Sequence, residues 1–431
     1  MKQTSLYLFL AAMFSGSLVS ADEGDVQRPV SIPSSAQAVQ NTASVLPGNV
    51  FEADGIPVSG SRSRRALKLM DGINLFADVQ TGLGYDSNPA AAAKGAESAS
   101  AFLRVSPTLM AEARYRANRY TLAYKGDYAY YPDFEANTLA NNDLVFLAQN
   151  VFDARSSVAW GASYLDRYDP VGSTDRSIGA KEADHHRDWL VNATFRYGAD
   201  EAQGRIEVDT GVGSKRYLNN RAKTEAADVS NTELAGRFYY RLAPRTKLVT
   251  ELRRTAFDYV SDLAKLDNTD WRYLLGVSWN ATSALTGSAK LGKQRKVFED
   301  QSVQKNYSGG TWEASLRWSP LTYSSFDVLT GRSATDPSGS AGVPVAKNLS
   351  VAWNHDWNSY VHSKLSAGRI RTVHRGTPRV DVEDAYSVGL MYDARRWLGI
   401  GLEYKFSQRE STANAFDNIR RLILLKLDAS F

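Results

Sequence analysis

The sequence predicts an all-β fold: a transmembrane up-and-down antiparallel β-barrel of about 18 strands, preceded by a signal peptide and a mostly disordered N-terminal segment. Three observations predict it. From Ile73 to the end of the chain, apolar and polar residues alternate with a period of two. The polar face carries too many charges for a sealed core. The links between alternating segments are short and long by turns.

The elements follow in chain order. Lys2 gives a short positive start, and 5-SLYLFLAAMFSGSLVSA-21 supplies an apolar stretch with Val19 and Ala21 at the spacing a signal peptidase reads. We expect cleavage after Ala21, so that residues 1–21 are a secretory signal peptide. Residues 22–70 read as a periplasmic, mostly disordered linker or plug. The stretch 28-RPVSIPSSAQAVQNTASVLPG-48 is rich in Ser, Ala, Pro and Gln and has no sustained periodicity. Its basic cluster, Arg62, Arg64 and Arg65, could dock an acidic periplasmic partner or fold into a pore; the plainer reading is a solvated charge run. Residues 71–431 are assigned to the barrel.

Composition narrows the class. Cysteine is absent, which excludes a disulfide framework and thiolate chemistry. A formal net charge of +4 is small for 431 residues and argues against nucleic acid as the main partner. After the leader, no run of about 18 apolar residues offers a membrane-spanning helix. A chain with a secretory leader, many Trp and Tyr and no spanning helix leaves the β-barrel as the membrane option.

In 73-INLFADVQTGLGYD-86, Ile73, Leu75, Ala77, Val79, Thr81, Leu83 and Tyr85 share one face. Their neighbours Asn74, Asp78, Gln80, Gly82, Gly84 and Asp86 share the other, the mark of a strand with two unlike sides. The pattern recurs at 103–115, 189–197, 271–281, 312–320 and 398–406. Short turns are expected at 116–118, 153–156, 199–203, 243–246, 282–284, 319–322, 357–359 and 393–396. Longer polar links are expected at 87–100, 168–186, 218–228, 333–343 and 375–380. Such alternation is the layout of a barrel with tight periplasmic turns and larger outer loops.

The apolar face carries few charges, and its aromatics, such as Tyr115, Tyr128, Trp160, Trp189, Tyr240, Trp271, Trp318, Trp353 and Tyr404, cluster near segment ends. Amphipathic rings favour the headgroup level, so they predict two girdles. The same phase points Arg104, Arg114, Lys125, Arg196, Arg205, Glu207, Asp209, Arg237, Arg241, Glu251, Arg253, Arg272, Arg317, Glu403, Lys405 and Lys426 to the lumen, together with Glu112, Asp127, Glu233, Asp327 and Asp428. A soluble core cannot hold that many charges, because each unpaired buried charge costs several kcal/mol. A water-filled lumen can hold them. For any single charge, the plainer role is to brace the wall.

The tail 421-RLILLKLDASF-431 is the last strand, with Leu425, Leu427, Ala429 and Phe431 toward lipid and Lys426 and Asp428 toward the lumen. A terminal aromatic in this phase resembles the signal by which bacterial outer-membrane barrels are recognised. That resemblance implies the bacterial outer membrane as the site, its lipid as a partner, and the barrel assembly machinery as the recogniser of Phe431.

The segment 83-LGYDSNP-89 ends the first strand. Through Gly84, Tyr85, Asp86, Ser87 and Asn88 it resembles the G-Y-D-x-N element of outer-membrane β-barrel porins associated with exopolysaccharide biosynthesis and export gene clusters. The resemblance implies the barrel half of a polysaccharide exporter, acting with a periplasmic polysaccharide export protein that lacks its own outer-membrane pore. The plain structural reading of the same residues is a strand end entering an Asx-type turn.

No catalytic, cofactor-binding or metal site is expected. The five histidines, His185, His186, His355, His362 and His374, show no H-E-x-x-H spacing. No G-x-S-x-G elbow or phosphate-cradling glycine loop occurs. Glu207 with Asp209 is not evidence of sugar cleavage, since a lumen this charged always offers a carboxylate pair. His355 is expected on the lipid face and His362 on the lumen face, both near the 357–359 turn. The functional readings are therefore an outer-membrane pore for exopolysaccharide, a general or small-solute porin, and a non-transporting barrel acting as adhesin or anchor.

Overall fold

The structure, a computed structural model, describes residues 67–430 apart from 175–179, 263, 283 and 337–341. The signal peptide, the cluster Arg62–Arg64–Arg65 and Phe431 lie outside the described residues.

Nineteen strands follow in chain order: β1 (Leu67–Met70), β2 (Ile73–Asp86), β3 (Ser100–Tyr115), β4 (Asn118–Tyr130), β5 (Leu139–Val151), β6 (Ser156–Asp169), β7 (Asp184–Tyr197), β8 (Gly204–Tyr217), β9 (Val229–Ala243), β10 (Thr246–Tyr259), β11 (Asn268–Thr282), β12 (Leu285–Phe298), β13 (Tyr307–Leu321), β14 (Ser324–Ala334), β15 (Val343–Asp356), β16 (Val361–Arg375), β17 (Val380–Arg395), β18 (Leu398–Ser411) and β19 (Asn418–Ser430). Strands β2 to β19 each pair antiparallel with the next in sequence, and β19 pairs back onto β2, closing an 18-stranded barrel. Closure is what the bilayer demands, since hydrocarbon offers no partner to an exposed sheet edge. Strands of 11–16 residues suit the span. At roughly 3.3 Å per residue and a tilt of roughly 40°, fourteen residues rise about 35 Å, more than the ~25 Å apolar band of such barrels.

Exposure follows the predicted phase. Leu83, Leu103, Trp189, Phe195, Tyr273, Leu275, Trp318, Leu402, Leu425 and Leu427 stand exposed on the outer wall, while Arg237, Arg253, Arg272, Glu403 and Lys426 are buried within. At the short-turn rim, the rings of Trp318, Phe326, Trp353, His355 and Trp357 pack in series with centroids 4.5–6.2 Å apart. His355 is thus one residue of an aromatic girdle, and His362 faces inward between Asp356 and Asp393.

Several boundaries differ from the expectation. The last four residues of the expected linker form β1. The link predicted at 168–186 is shorter, since β6 runs to Asp169 and β7 begins at Asp184, which places His185 and His186 on a strand. Strand β13 continues through Ser319 and Pro320 to Leu321, so its turn is moved to 322–323. Four further outer links, at 131–138, 260–267, 299–306 and 412–417, complete the alternation; they are short and carry aromatic or aliphatic residues, which hides them in a polarity pattern.

The barrel closes at a seam of nine residue pairs between β19 and β2, from Leu422↔Asp86 to Ser430↔Asp78, against fourteen between β2 and β3. Strand β1 pairs with Ile73, Asn74 and Leu75, on the edge of β2 that β19 leaves uncovered. The upper part of the seam is held by the 84–88 motif. Asp86, fully buried, accepts hydrogen bonds from Arg420 Nε at 3.0 Å and Nη2 at 2.6 Å across the seam. Asp86 also accepts the Asn88 amide at 3.0 Å, which is the Asx turn. The Ser87 amide donates to the Arg421 carbonyl at 2.9 Å, and the Arg421 amide donates to Ser87 Oγ at 2.8 Å. Asn88 Nδ2 donates to the carbonyls of Ala92 and Ile419, each at 3.0 Å. Gly84 is required by close approach: a Cβ there would lie 2.3 Å from the Phe102 ring and 2.8 Å from the Ile423 carbonyl oxygen. Tyr85 points outward, about half exposed.

Replacing Asp86 by Ala removes the two-pronged carboxylate partner of the Arg420 guanidinium, whose side chain is only 27% exposed. We expect a loss of about 2–4 kcal/mol of barrel stability, read as a lower urea midpoint for the heat-modifiable folded band. Asp86→Ala combined with Arg420→Ala should recover much of it. A single variant as stable as the parent would contradict the clasp.

Candidate conduit and its ionic wall

The residues that could act on a cargo are those on the inner face. Every residue predicted to point inward lies on a strand in the inward register, and the structure gathers most of them into ion-paired clusters.

The largest cluster spans β7 to β13. Glu207 is fully buried and takes Arg196 Nε, Arg205 Nη2 and Arg237 Nε, each at 3.2 Å. Arg237 also pairs with Asp209, which accepts the Thr194 hydroxyl at 2.7 Å. One strand further on, Glu251 pairs with Arg253 and with Lys290 Nζ at 2.8 Å. Lys290 Nζ reaches Glu313 at 2.9 Å, and Glu313 also draws in Arg272 at 3.5 Å and Arg253 at 3.7 Å. Arg272 meets Asp270 at 3.3 Å. Glu233 lies beside this group and takes the Thr255 hydroxyl at 3.4 Å. Six bases, Arg196, Arg205, Arg237, Arg253, Arg272 and Lys290, therefore face six carboxylates, Glu207, Asp209, Glu233, Glu251, Asp270 and Glu313. Asp200 in the β7–β8 turn adds a seventh carboxylate, taking Arg205 at 3.0 Å and Arg196 at 3.7 Å, so the group is close to neutral.

The pairing is a product of register. Glu207 sits opposite Arg237, and Arg237 opposite Glu251, so charges alternate along a cross-strand row. Lys290 sits opposite both Glu313 and the bare Gly276. A Cβ at Gly276 would come within 2.7 Å of Lys290 Cγ, so the glycine lets the lysine stem lie flat toward Glu251.

Smaller clusters line the remaining wall. Arg104 grips Asp127 with Nε at 2.6 Å and Nη2 at 2.7 Å, with Ser106 Oγ at 2.9 Å and Lys125 on the same strand. Glu112 pairs with Arg119 and, at 3.4 Å, with Arg114. Glu403 pairs with Lys426 and, at 3.1 Å, with Lys405. Arg317 and Asp327 pair at 2.7 Å near the short-turn rim, with the arginine side chain 57% exposed. Arg241 lies at that rim on β9, apart from the main cluster. The 84–88 element, singled out by its family resemblance, also has a structural role, since the side chains of Asp86, Ser87 and Asn88 close the seam.

The sequence reading left several wall residues out. Arg119, Asp270, Lys290 and Glu313 belong to these clusters, and Arg167 pairs with Asp143, which sits opposite Lys125; strand parity would have found them, since Glu313 follows the outward Trp312 and Asp270 precedes the outward Trp271. At the outer mouth, Asp381 accepts from Arg379 and Arg409 at 2.7 and 2.8 Å, and His186 sits between Asp169 and Asp188 at 3.1 and 3.0 Å. The inner face also departs from an all-polar lining. Phe102, Ala129, Tyr131 and Leu424 form a buried apolar cluster, with Phe134, Leu139 and Leu422 packed against it, just inside the mouth beside the seam.

Among the described residues no helix is long and apolar enough to cross a membrane, and no group of three or more His, Cys, Asp or Glu side chains could hold a metal ion.

The family profile described as "Putative beta-barrel porin 2" matches residues 74–431. No curated protein sequence matches the chain. Among solved structures, the chain is similar to a BenF-like porin from Pseudomonas fluorescens Pf-5, with 11% identity over 84% of this chain and 100% of that one and a TM-score of 0.47. It is similar to the outer membrane protein opdK from Pseudomonas aeruginosa, with 11% identity over 83% and 99% and a TM-score of 0.45. It is also similar to a bacterial polysaccharide outer membrane secretin, with 12% identity over 82% and 97% and a TM-score of 0.35. The profile takes in all eighteen barrel strands, lacking only the first residue of β2, and the chain belongs to this family of β-barrel porins of the bacterial outer membrane.

Proposed function

We propose that this porin conducts an exopolysaccharide across the outer membrane, together with a periplasmic polysaccharide export protein. The observation that carries the reading is the inner wall: a densely charged surface whose charges neutralise one another in place. The main cluster is buried and internally paired, which leaves little net field to hold an ionic cargo, and the more open inward groups, such as Arg114 and Arg317, offer hydroxyl groups weak hydrogen-bond partners. Weak, multi-site binding favours transit, whereas tight binding stalls it. The resemblance of 83-LGYDSNP-89 to exopolysaccharide-associated porins supports the same cargo. A small-solute porin is the second reading, favoured by the same lining and by the apolar cluster at Phe102 and Tyr131, which narrows one side of the mouth. In neither reading does the wall act as a catalyst.

Two measurements follow. Replacing Arg253 by Gln leaves Glu251 and Glu313 short of a base and makes the cluster more negative. In planar bilayers with a salt gradient, the reversal potential should move toward cation selectivity; Glu313→Gln should move it the other way. Equal potentials for both variants and the parent would show that these residues do not line the ion path. For the cargo, deletion of the gene should leave polymer inside the cell envelope and strip it from the medium, with recovery on complementation. Polymer released at parental levels would remove export and leave the small-solute reading.

A further inference from the structure

The outer wall carries a feature that a lipid-facing surface should lack. Arg332 on β14, Lys347 on β15 and Arg371 on β16 are direct cross-strand partners, so three cations stand side by side on the membrane side of the sheet. Like charges directly opposite one another destabilise a sheet. Other outward charges are neutralised: Arg187 on β7 by Asp166 at 2.9 Å, and Arg369, two residues from Arg371 on β16, by Asp384 on β17 at 2.6 Å. Here they are not. The outward positions of β11 to β16 contain no Asp or Glu. Among the described residues Arg332, Lys347, Arg371 and the nearby Lys293 form no ion pair.

The side chains also make a shape. Gly310 on β13 faces outward between Lys293, its partner on β12, and Arg332, whose Nη1 donates to the Gly310 carbonyl. With no side chain at 310, the two bases flank a bare floor. Trp312 lies below it, with Arg332 Cζ 6.0 Å and Lys347 Nζ 5.5 Å from its ring centroid. Below that level, toward the short turns, the wall turns apolar through Leu291, Leu349 and Val351. The cradle sits toward the long-loop ends of its strands, the level of the outer-leaflet headgroups.

We propose that this cradle binds the phosphate of an outer-leaflet lipid headgroup, with the acyl chains running down the apolar wall beneath. An anion there relieves the repulsion among the three aligned cations, and basic groups without an acidic partner beside a tryptophan suit a phosphorylated lipid better than a zwitterionic one. The site is independent of what passes through the lumen.

The test uses the full-length barrel in detergent, with bound lipid counted by native mass spectrometry. Diphosphoryl lipid A should bind in preference to phosphatidylcholine, with an affinity that falls as salt rises. Lys347→Gln with Arg371→Gln and Arg332→Gln should weaken lipid A by roughly a hundredfold, since each base near an anionic surface contributes about fivefold. Arg187→Gln, on another wall, should leave it unchanged, and Arg332→Lys should retain most of it. Heat-modifiable migration on gels confirms that each variant is folded. Equal binding of lipid A and phosphatidylcholine, an unaffected triple variant, or displacement of lipid A by an equal concentration of inorganic phosphate would each overturn the assignment.

Discussion

The structure depends on closing a sheet. Inside hydrocarbon an unpaired strand edge leaves amides and carbonyls without partners, and each costs several kcal/mol. Eighteen strands solve the problem only if the last meets the first, and that one junction joins residues more than 330 positions apart. Hairpins between sequence neighbours come with short loop closure; the seam does not. It is therefore the place where side chains must add to the backbone ladder, and it is where Asp86, Ser87 and Asn88 meet Arg420 and Arg421. Strand β1 completes the arrangement by pairing the stretch of β2 that β19 does not reach.

Once the sheet closes, its two faces meet opposite solvents. The outer wall keeps its aliphatic side chains against acyl chains and its rings at the rims. The inner wall gathers charges that are largely buried, and cross-strand register sets acid against base so that nearly every one has a near partner. The near-balance of charge in the β7–β13 cluster follows from that alternation.

Much of this was legible in the sequence because period two is a local signal. Ile73 to Tyr85, Trp189 to Tyr197 and Leu398 to Phe406 each declare their two faces without reference to any neighbour, and the strand number and the inward phase of Arg237 or Lys426 follow. Features that depend on distant pairing were not legible. Which base meets which acid requires register, so Lys290 bridging Glu251 and Glu313 could not be read from spacing. The link at 131–138 escaped notice because its Tyr131 and Phe134 fold inward onto Phe102 and Leu424, which makes a loop look like strand. Residues 84–88 stood out as a motif, but their partner strand lies at the other end of the chain, so their structural role emerged only from the closed barrel.

The absence of cysteine allows a direct test of the inside-out assignment on which the account rests. Single cysteines placed at Ser315 and Gln80, on the inner face, and at Leu425 and Leu275, on the outer face, can be probed in intact outer membranes with a charged, membrane-impermeant thiol reagent. The account predicts labelling at 315 and 80 and none at 425 or 275, where a fluorophore attached after purification should instead be quenched by brominated lipid. Labelling of the outer-face positions by the charged reagent, with 315 and 80 protected, would contradict it.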